Sequence, residues 1–408
     1  MKIGILTYHS VANFGANLQL LSTIDYLKRN GYTPLVINWH LDELEEMYKK
    51  LTPAIQLETH KLYREIHFPL TKICRTNDDI IALIEEENIQ GLIIGSDAVA
   101  QHHPFFSRLI FPAKKIFHIL KFTPDRMYPN FFWGSFIPML EKKIPIVMMS
   151  VSSQDSAYKL MNKSIRKKMF HSISNYSYIS VRDDWTQKMF KFISNGKINP
   201  LVTPDPVFAF NQNVTTEQLS KEFIIKKYNL SETYILLSFR NPKTINSVWV
   251  DEFKSIAEKK GIECVALPFP GGILFNSRLK KQINLPLDPL EWYALIKYSK
   301  GYIGHNMHPI IVSLHNAVPF FCFDNYGTEK FRFFVNEKSS KIYHILSKSG
   351  FLDNRITNIG QLKKIPTPQF VFDKIATFDV LKAQTFSQLY LNKYNEMMKN
   401  IENSFSIK

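Results

Sequence analysis

The segment from Gly304 to Pro309 carries the residue types most capable of chemistry in this chain. It reads Gly-His-Asn-Met-His-Pro, with imidazoles at His305 and His308 and a carboxamide at Asn306. Imidazole groups can bind anions and can also move protons near neutral pH. The segment is therefore a candidate for anion binding and for acid–base catalysis.

The residues around this segment predict a strand-to-helix junction. Tyr302 and Ile303 are typical of the end of a strand, and Pro309 predicts the first position of a helix over 309–316. The unpaired backbone N–H groups and the dipole at such a helix start favour negative charge. The alternative interpretation is purely structural, with His308 capping the helix and the neighbouring histidines filling space.

The composition indicates a folded protein of two domains with an acidic partner. Of its residues, 45% are hydrophobic and 21% are charged, which is typical of a folded protein. Its length of 408 residues exceeds what a single hydrophobic core commonly supports. Its formal net charge of +15 favours phosphorylated substrates, an anionic membrane surface or nucleic acid as the partner. Nucleic acid ranks last, because lysine dominates the basic residues and no arginine-rich tract is present.

The cysteines and the chain start predict a cytoplasmic protein. Cys74, Cys264 and Cys322 are widely separated and odd in number, which argues against a disulfide framework and a zinc cluster. We therefore expect no metal site. The strand-like start is too short for a signal peptide, and no run of 18 apolar residues predicts a membrane span. Peripheral contact with the inner face of the membrane remains open.

Two successive series of alternating strands and helices predict an α/β fold. In the first, a strand is followed by a polar turn at 11–17 and by a helix that ends at Gly31. This order predicts parallel sheets in two Rossmann-like, doubly wound domains that face each other across a cleft. The predicted units are an N-terminal domain at 1–212, a C-terminal domain at 223–373 and a terminal helix at 374–408 that packs back on the first domain.

A segment rich in aromatic, proline and basic residues, 103–140, does not fit this alternation. Such a segment can contact a membrane surface, or it can cover a carbohydrate or lipid-linked acceptor. The alternative is an irregular loop over the core. The sequence leaves these interpretations open.

Five short motifs, in this order and at this spacing, resemble the polysaccharide pyruvyl transferase family along most of the chain. The motifs are Asn13–Gln19, Ile93–Val99, Ile179–Asp184, Pro204–Phe208 and Gly304–Phe321. The resemblance implies a glycosyltransferase-B-like arrangement of two Rossmann-like domains. It further implies transfer of a pyruvyl group from phosphoenolpyruvate to a sugar diol as a cyclic ketal, in the biosynthesis of exopolysaccharide. Phosphoenolpyruvate would be the donor substrate, and no cofactor is expected.

The resemblance also implies a donor site in the C-terminal domain. His308 matches the histidine of the family's Arg-x-His element, and we expect it to act as general acid or base. Asn306 stands where the family has arginine, and a carboxamide cannot form arginine's charged, two-pronged contact with an anion. Arg240, Lys243 and His305 are the candidates for compensating this loss in donor binding.

On the N-terminal domain we expect an acceptor site. Asn13, Gly15 and Asn17 lie in the predicted turn, where amides can bind sugar hydroxyls. Capping of the following helix explains Asn13 equally well. Asp97 ends a predicted strand and is the candidate base or hydroxyl anchor.

Two other charged sites are interpreted as structural. Arg182 and Asp183 are expected to form an ion pair near the cleft, and Asp205, between two prolines, is expected to be a turn residue.

The expected partners are phosphoenolpyruvate and a glycan or lipid-linked oligosaccharide. Two alternatives stay open. The first is a glycosyltransferase that uses a nucleotide-sugar, because the same fold supports that chemistry. The second is a non-catalytic glycan-binding or assembly protein in which Asn306 marks a lost active site.

Overall fold

The computed structural model describes residues 1–110, 118–215, 219–239, 245–269, 279–330 and 334–406. In the first half of the chain, strands alternate with helices. The strands are β1 (Lys2–Leu6), β2 (Thr33–Trp39), β3 (Leu70–Cys74), β4 (Gly91–Asp97), β5 (Leu109–Ile110), β6 (His118–Ile119), β7 (Ile146–Val151), β8 (Tyr178–Val181) and β9 (Leu201–Val202). The helices are α1 (Phe14–Arg29), α2 (Asp42–Leu51), α3 (Ala54–His67), α4 (Asn77–Glu86), α5 (Phe105–Arg108), α6 (Lys163–Ile173), α7 (Asp184–Ile193) and α8 (Phe210–Asn213).

The second half repeats the alternation. Its strands are β10 (Tyr234–Ser238), β11 (Glu263–Ala266), β12 (Gly301–Gly304), β13 (Phe320–Asp324), β14 (Thr328–Lys330), β15 (Phe334–Asn336) and β16 (Arg355–Thr357). Its helices are α9 (Lys221–Tyr228), α10 (Ser247–Glu258), α11 (Pro289–Lys297), α12 (Met307–His315), α13 (Lys341–Ser349), α14 (Pro368–Ala376) and α15 (Val380–Ser406).

Two parallel sheets organise these elements. The first has seven strands in the order β3-β2-β1-β4-β7-β8-β9, and the second has five in the order β11-β10-β12-β13-β16. Every pairing within the two sheets is parallel. The strand order reverses beside β1 and β4 in the first sheet and beside β10 and β12 in the second. Ligands of such sheets bind outside the carboxyl ends of the strands at these points. The predicted α/β class with two Rossmann-like units is confirmed.

The two halves share one hydrophobic core. Phe14 of α1 stacks on Trp292 of α11 with ring centroids 5.4 Å apart. The side chain of Gln56 accepts a hydrogen bond from the backbone N–H of Leu287 and donates one to its carbonyl, both at 2.8 Å. One cluster of buried apolar side chains includes residues of both sheets and of α15. The halves are therefore packed directly against each other.

Helix α15 contacts both halves of the chain. It packs against α12 and α13 of the second half, and against β7, β8 and a short 3-10 turn at Pro206–Ala209 of the first. The terminal helix was predicted at 374–408, and in the structure it begins at Val380. The predicted linker near 211–222 includes residues 216–218, which lie outside the described residues. The proposed division at 212 and 223 stays a prediction.

Two local predictions were wrong, and both concern helix starts. The turn predicted at 11–17 is partly helical, because α1 begins at Phe14. Helix α12 begins at Met307, so Pro309 occupies its third position and not its first. Proline fits there because the first N–H groups of a helix have no partner within it.

The segment 103–140 forms α5, the short pairing of β5 with β6 and three 3-10 turns, with 111–117 outside the described residues. Phe132, Trp133 and Phe136 are buried in the core of the first half. Within the described ranges, no helix is both long and apolar enough to cross a membrane.

Candidate functional site

The carboxyl ends of the two sheets face a polar cavity between the halves. Its volume is about 130 Å³. The first half contributes Tyr8, Val11, Asn13, Tyr48, Asp97, Ala98, Gln101, Arg126 and Gln154 to its walls. The second half contributes Asn306, Met307, His308, Tyr326 and Lys341. The cavity therefore joins residues predicted for the donor side, Asn306 and His308, to residues predicted for the acceptor side, Asn13 and Asp97.

The start of α12 leaves its polar groups open to this cavity. Asn306 is the N-cap residue, but its side chain makes no capping hydrogen bond. Its Nδ2 is buried and has no hydrogen-bond partner among the described residues. A helix start of this kind attracts anions through its unpaired N–H groups and its dipole. This wall of the cavity is therefore able to attract an anion without the arginine that the resemblance implies at position 306.

His308 lies in the first turn of α12 and is buried. Its Nε2 has no hydrogen-bond partner among the described residues and lies 3.8 Å from Oδ2 of Asp205. Burial lowers the pKa of His308 to about 4, and the charges of Arg182 and Lys341 add to this, although Asp205 and Asp97 oppose it. The imidazole is therefore neutral at pH 7 and can accept a proton. The alternative that His308 caps the helix is wrong, because Asn306 holds that position.

Gly15 permits a close approach between α1 and His308. A Cβ atom at Gly15 would lie 2.1 Å from both Cγ and Nδ1 of the His308 ring. Asn13 caps the same helix, since its Oδ1 accepts hydrogen bonds from the N–H groups of Gly15 and Ala16 at 3.0 and 3.4 Å. Asn13 also lines the cavity. The turn therefore both starts α1 and fixes one wall of the site.

Asn17 does not reach the cavity. It is fully buried within α1, and its Nδ2 lies 2.9 Å from Nδ1 of His60 on α3. The prediction that Asn17 binds the acceptor is contradicted by this position. The reason is the early start of α1, which turns the Asn17 side chain towards α3.

A buried ion-pair network supports the cavity from the first half. Nη1 of Arg182 donates to Oδ2 of Asp205 at 2.8 Å, and Nη2 lies 3.5 Å from Oδ1 of Asp97. Gln19 also donates to Oδ2 of Asp205, at 2.5 Å. Burial acts to raise the pKa of Asp97, but Arg182, His308 and Lys341 outweigh it and hold this pKa below its ordinary value. Asp97 is therefore an ionised, weakly basic carboxylate.

This network differs from the predicted pair of Arg182 with Asp183. Asp183 instead caps α7, where its Oδ1 accepts from the N–H of Thr186 at 2.7 Å. Asp205 does begin the turn at Pro206–Ala209, through the N–H of Val207, but it is also a partner of Arg182. The backbone of Asp97 has a φ of +80°, a left-handed conformation that few non-glycine residues adopt.

Two cations in the cavity wall were missed in the sequence. Lys341 is the first residue of α13, is buried, and lies 4.9 Å over the ring of Tyr326. Burial lowers the pKa of Lys341 to about 8; Arg182 also lowers it, and Asp97 opposes this. Lys341 is distant in sequence from every motif, so only the tertiary fold reveals it.

The second cation is Arg126, from the segment 103–140. Its Nε lies 4.0 Å from Oδ2 of Asp125, which is too far for a hydrogen bond, and the guanidinium faces the cavity. Asp125 is fully buried and accepts a 2.5 Å hydrogen bond from the hydroxyl of Tyr8. The unusual composition of this segment was a signal, but it did not single out Arg126.

The other predicted donor residues do not line the cavity or are not described. His305 is 2% exposed, lies against the rings of Phe239 and Phe323, and bonds the Phe323 carbonyl through Nδ1 at 2.7 Å. This position does not support the expected contact of His305 with the donor. Arg240 and Lys243 lie outside the described residues.

The described residues contain no group of three or more histidine, cysteine or acidic side chains arranged to hold a metal ion. The cavity residues instead offer a neutral imidazole, two basic side chains, an open helix start and an ionised carboxylate. This set can hold a small anion and exchange a proton with it or with a neighbouring hydroxyl.

Solved structures with a similar fold come from nucleotide-sugar enzymes. UDP-GlcNAc 2-epimerase from Methanocaldococcus jannaschii has a TM-score of 0.54 at 11% identity, covering 95% of this chain and 99% of that one. UDP-GlcNAc 2-epimerase from Neisseria meningitidis, bound to UDP-GlcNAc, has a TM-score of 0.54 at 10% identity, covering 99% and 100%. At this identity the likeness concerns the fold alone, which is of the glycosyltransferase-B type.

Comparison with curated proteins found no match. The sequence model described as polysaccharide pyruvyl transferase matches residues 13–326, which include all the cavity residues above except Tyr8, Val11 and Lys341. With its order of motifs and its two parallel-sheet halves, the chain belongs to the polysaccharide pyruvyl transferase family.

Proposed function

We propose that this protein transfers a pyruvyl group from phosphoenolpyruvate to two hydroxyls of a sugar, forming a cyclic ketal and releasing phosphate. The observation that carries this proposal is the unpartnered Nε2 of His308, in a small cavity that also holds Lys341 and Arg126. The membership of the family supports the reaction class.

The donor would be held by the positive groups of the cavity. Phosphoenolpyruvate carries a phosphate and a carboxylate, and Lys341, Arg126 and the start of α12 supply positive charge on separate walls. Asn306 would donate a hydrogen bond through Nδ2, where arginine would form a charged contact. Arg240 and Lys243 remain proposed donor contacts from the sequence.

His308 would act as the general base and acid. A neutral imidazole can take the proton of the attacking sugar hydroxyl as its oxygen bonds the central carbon of the donor, and the resulting imidazolium gives a proton to the methylene carbon, which becomes a methyl group. The oxygen of the second hydroxyl then bonds the same carbon as the bond from that carbon to the phosphate oxygen breaks, and the phosphate leaves with the second hydroxyl's proton. Because Asp97 is ionised and paired with Arg182, we assign it to anchoring an acceptor hydroxyl.

The acceptor would be a glycan or a lipid-linked oligosaccharide of exopolysaccharide biosynthesis, with Asn13 and Asp97 at its reacting end. A cytoplasmic site of action and peripheral contact with an anionic membrane belong to this proposal, supported by the net charge of +15. Co-sedimentation with anionic vesicles at low salt tests the membrane contact, since surface electrostatics weaken as salt rises.

The size of the cavity favours a small donor. At about 130 Å³ it is smaller than the roughly 300–1,000 Å³ of typical ligand pockets. A nucleotide-sugar would need to extend into the adjoining groove of about 400 Å³, whereas phosphoenolpyruvate would not. The family membership favours pyruvyl transfer over nucleotide-sugar chemistry, and the cavity size agrees with a small donor.

Calorimetric titration with phosphoenolpyruvate tests the donor site. We expect binding by the native protein and a loss of about tenfold or more in Lys341→Met, because a charged hydrogen bond contributes about 1.5–3 kcal/mol. Lys348→Met is the matched control, since Lys348 is on the same helix but exposed and paired with Asp184. Equal affinities of the native protein and Lys341→Met would contradict the assignment.

The pH dependence of the same titration sharpens the test. The pKa of Lys341 is lowered to about 8, so this side chain loses its charge as the pH rises through that value. Affinity for phosphoenolpyruvate should therefore fall above about pH 8 in the native protein. Lys341→Met should lack this fall while Lys348→Met retains it.

A further inference from the structure

A second and larger groove lies next to the catalytic cavity. Its volume is about 400 Å³. Four residues line both the groove and the cavity: Gln101, Arg126, Gln154 and Tyr326. The groove therefore adjoins the cavity, and we take the two as one binding region.

The groove changes character along its length. Near the cavity its wall is polar and includes Asp155 beside Gln154. The rest of the wall includes Leu109, Leu120 and Leu160. A hydrogen-bonding end and an apolar end therefore belong to one continuous depression.

A stacked pair of rings forms part of the groove wall. The rings of His103 and Phe122 lie 3.7 Å apart at an interplanar angle of 4°. Both residues are only partly buried, so the stack faces the groove and not the core. Sugar rings and alkyl chains both pack on flat apolar surfaces of this kind.

The outer end of the groove is exposed and apolar. Phe106 and Leu120, which both line it, are 68% and 41% exposed. Their neighbours Phe105 and Ile119 are each 50% exposed. Contiguous exposed apolar side chains rimmed by polar groups are typical of a binding surface.

We propose that this groove binds the apolar portion of an amphiphilic acceptor, a glycan that carries a hydrophobic group. This inference rests on the proposed function, because it places the sugar at the polar end, where the cavity begins. The hydrophobic group then covers Leu109, Leu120 and Phe106. A free sugar would leave these side chains in water and would gain nothing from them.

The amphiphile explains the groove better than a second copy of the chain does. The depression is concave and continuous with the cavity, so an occupant of its apolar end also meets the polar residues Arg126 and Gln154. A ligand that is polar at one end and apolar at the other matches both. A protein interface would not require continuity with His308.

Binding of two glucosides in the absence of phosphoenolpyruvate tests this proposal. The probes are n-octyl β-D-glucopyranoside, kept below its micelle concentration, and methyl β-D-glucopyranoside, measured by calorimetry. We expect the octyl compound to bind at least about tenfold more tightly, since each buried methylene favours binding. Leu120→Asn and Phe106→Ser should each reduce that preference severalfold.

Two matched controls distinguish binding in the groove from nonspecific binding to other exposed apolar side chains. Leu62→Asn and Phe370→Ser remove apolar side chains of similar exposure, 54% and 44%, that do not line the groove. An octyl preference that these controls reduce equally would overturn the proposal. So would a preference that persists in Leu120→Asn, because the alkyl chain would then bind elsewhere.

Size-exclusion chromatography of the same variants tests the interface between copies. A native dimer that becomes monomeric in Leu120→Asn would overturn the proposal in favour of that interface. The glucoside measurement needs no donor, whereas the phosphoenolpyruvate titration needs no acceptor. The two measurements therefore distinguish failure of the groove proposal from failure of the proposed pyruvyl transfer.

Discussion

The carboxyl ends of the two sheets hold their polar groups differently. On the first half, Asp97, Arg182 and Asp205 are buried charges within one ion-pair network, in which only Nε of Arg182 has no hydrogen-bond partner among the described residues. On the second half, Nε2 of His308 and Nδ2 of Asn306 are buried without partners among the described residues. A buried polar atom left unpaired costs about 1–3 kcal/mol, so it persists where a ligand supplies the partner.

This difference suggests two roles: the first half supports the site, and the second half contacts the substrate. Burial is the main cause of the lowered pKa of His308, and the paired charges of the first half modify it, since Asp205 and Asp97 raise this pKa and Arg182 lowers it. We assign contact with the substrate to the unpaired atoms of the second half. Changes on the two sides should therefore have different consequences, chiefly for turnover on one side and for stability on the other.

The largest effect should come from His308→Ala. Removal of a general base costs about 10²–10⁴ in rate, so phosphate release from phosphoenolpyruvate should fall by this factor. The free energy of unfolding should fall by the lost packing of the buried ring and not by a lost hydrogen bond, since Nε2 has no hydrogen-bond partner among the described residues. Near-normal turnover in this variant would mean that His308 is not the proton-transfer group.

Asp205→Asn should affect stability most. The substitution removes an ion-pair partner of Arg182 and leaves its buried guanidinium without enough negative charge nearby. Because removal of one partner of a buried ion pair costs about 3–5 kcal/mol, we expect the free energy of unfolding to fall by that amount. Urea unfolding followed by circular dichroism measures this loss. Glu46→Gln, at an exposed ion pair with Lys49, is the control and should cost less than about 1 kcal/mol.

Gly15→Ala should lower both the stability and the turnover of the protein. The added Cβ would collide with the His308 ring, which costs about 1–3 kcal/mol of stability and displaces the imidazole by enough to lose about 10² in turnover. The double variant with His308→Ala is the decisive comparison. If Gly15 acts through His308, turnover in the double variant should equal that of His308→Ala.

The smallest effect should come from His315, a half-buried histidine outside the site whose ring nitrogens are buried. Burial lowers its pKa to about 3, and both ring nitrogens lack partners among the described residues. The unfolded chain binds a proton below about pH 6.5 that the folded chain refuses, so this group removes stability as the pH falls.

His315→Phe should therefore weaken the pH dependence of unfolding without changing turnover. Between about pH 4 and 6, the slope of the unfolding free energy should decrease by about 1.4 kcal/mol per pH unit. Phenylalanine fits the contacts of His315 with the rings of Phe208 and Tyr293. An unchanged slope would show that His315 is protonated in the folded protein, and would weaken the same inference for His308.

Local patterns in the sequence were sufficient for the fold and for part of the site. Strand ends and helix starts are encoded by neighbouring residues, and so the position of His308 at a strand-to-helix junction was predictable. Asn13 as a helix cap was predictable for the same reason. Helix starts were misplaced by a few residues, and this error wrongly placed Asn17 in the site.

The remaining site residues depend on long-range packing. Lys341 and Arg126 lie outside the motifs. Lys341 reaches the cavity through the packing of the second half itself, and Arg126 reaches it through the docking of the two halves. Asp205 appeared to be a turn residue because its local role is indeed to start a turn. Its second role depends on Arg182, which is a partner from another strand end, and no local pattern encodes that contact.

The last helix has a consequence for how the chain holds together as one cooperative unit. The family match ends at residue 326, yet Tyr394, Met398 and Ile401 of α15 belong to the buried cluster that both halves share. Loss of this helix would open a core common to the two sheets and not merely shorten the chain. Removal of α15 should therefore destabilise both halves at once, because both contribute to this cluster in addition to the separate cluster that each half has of its own.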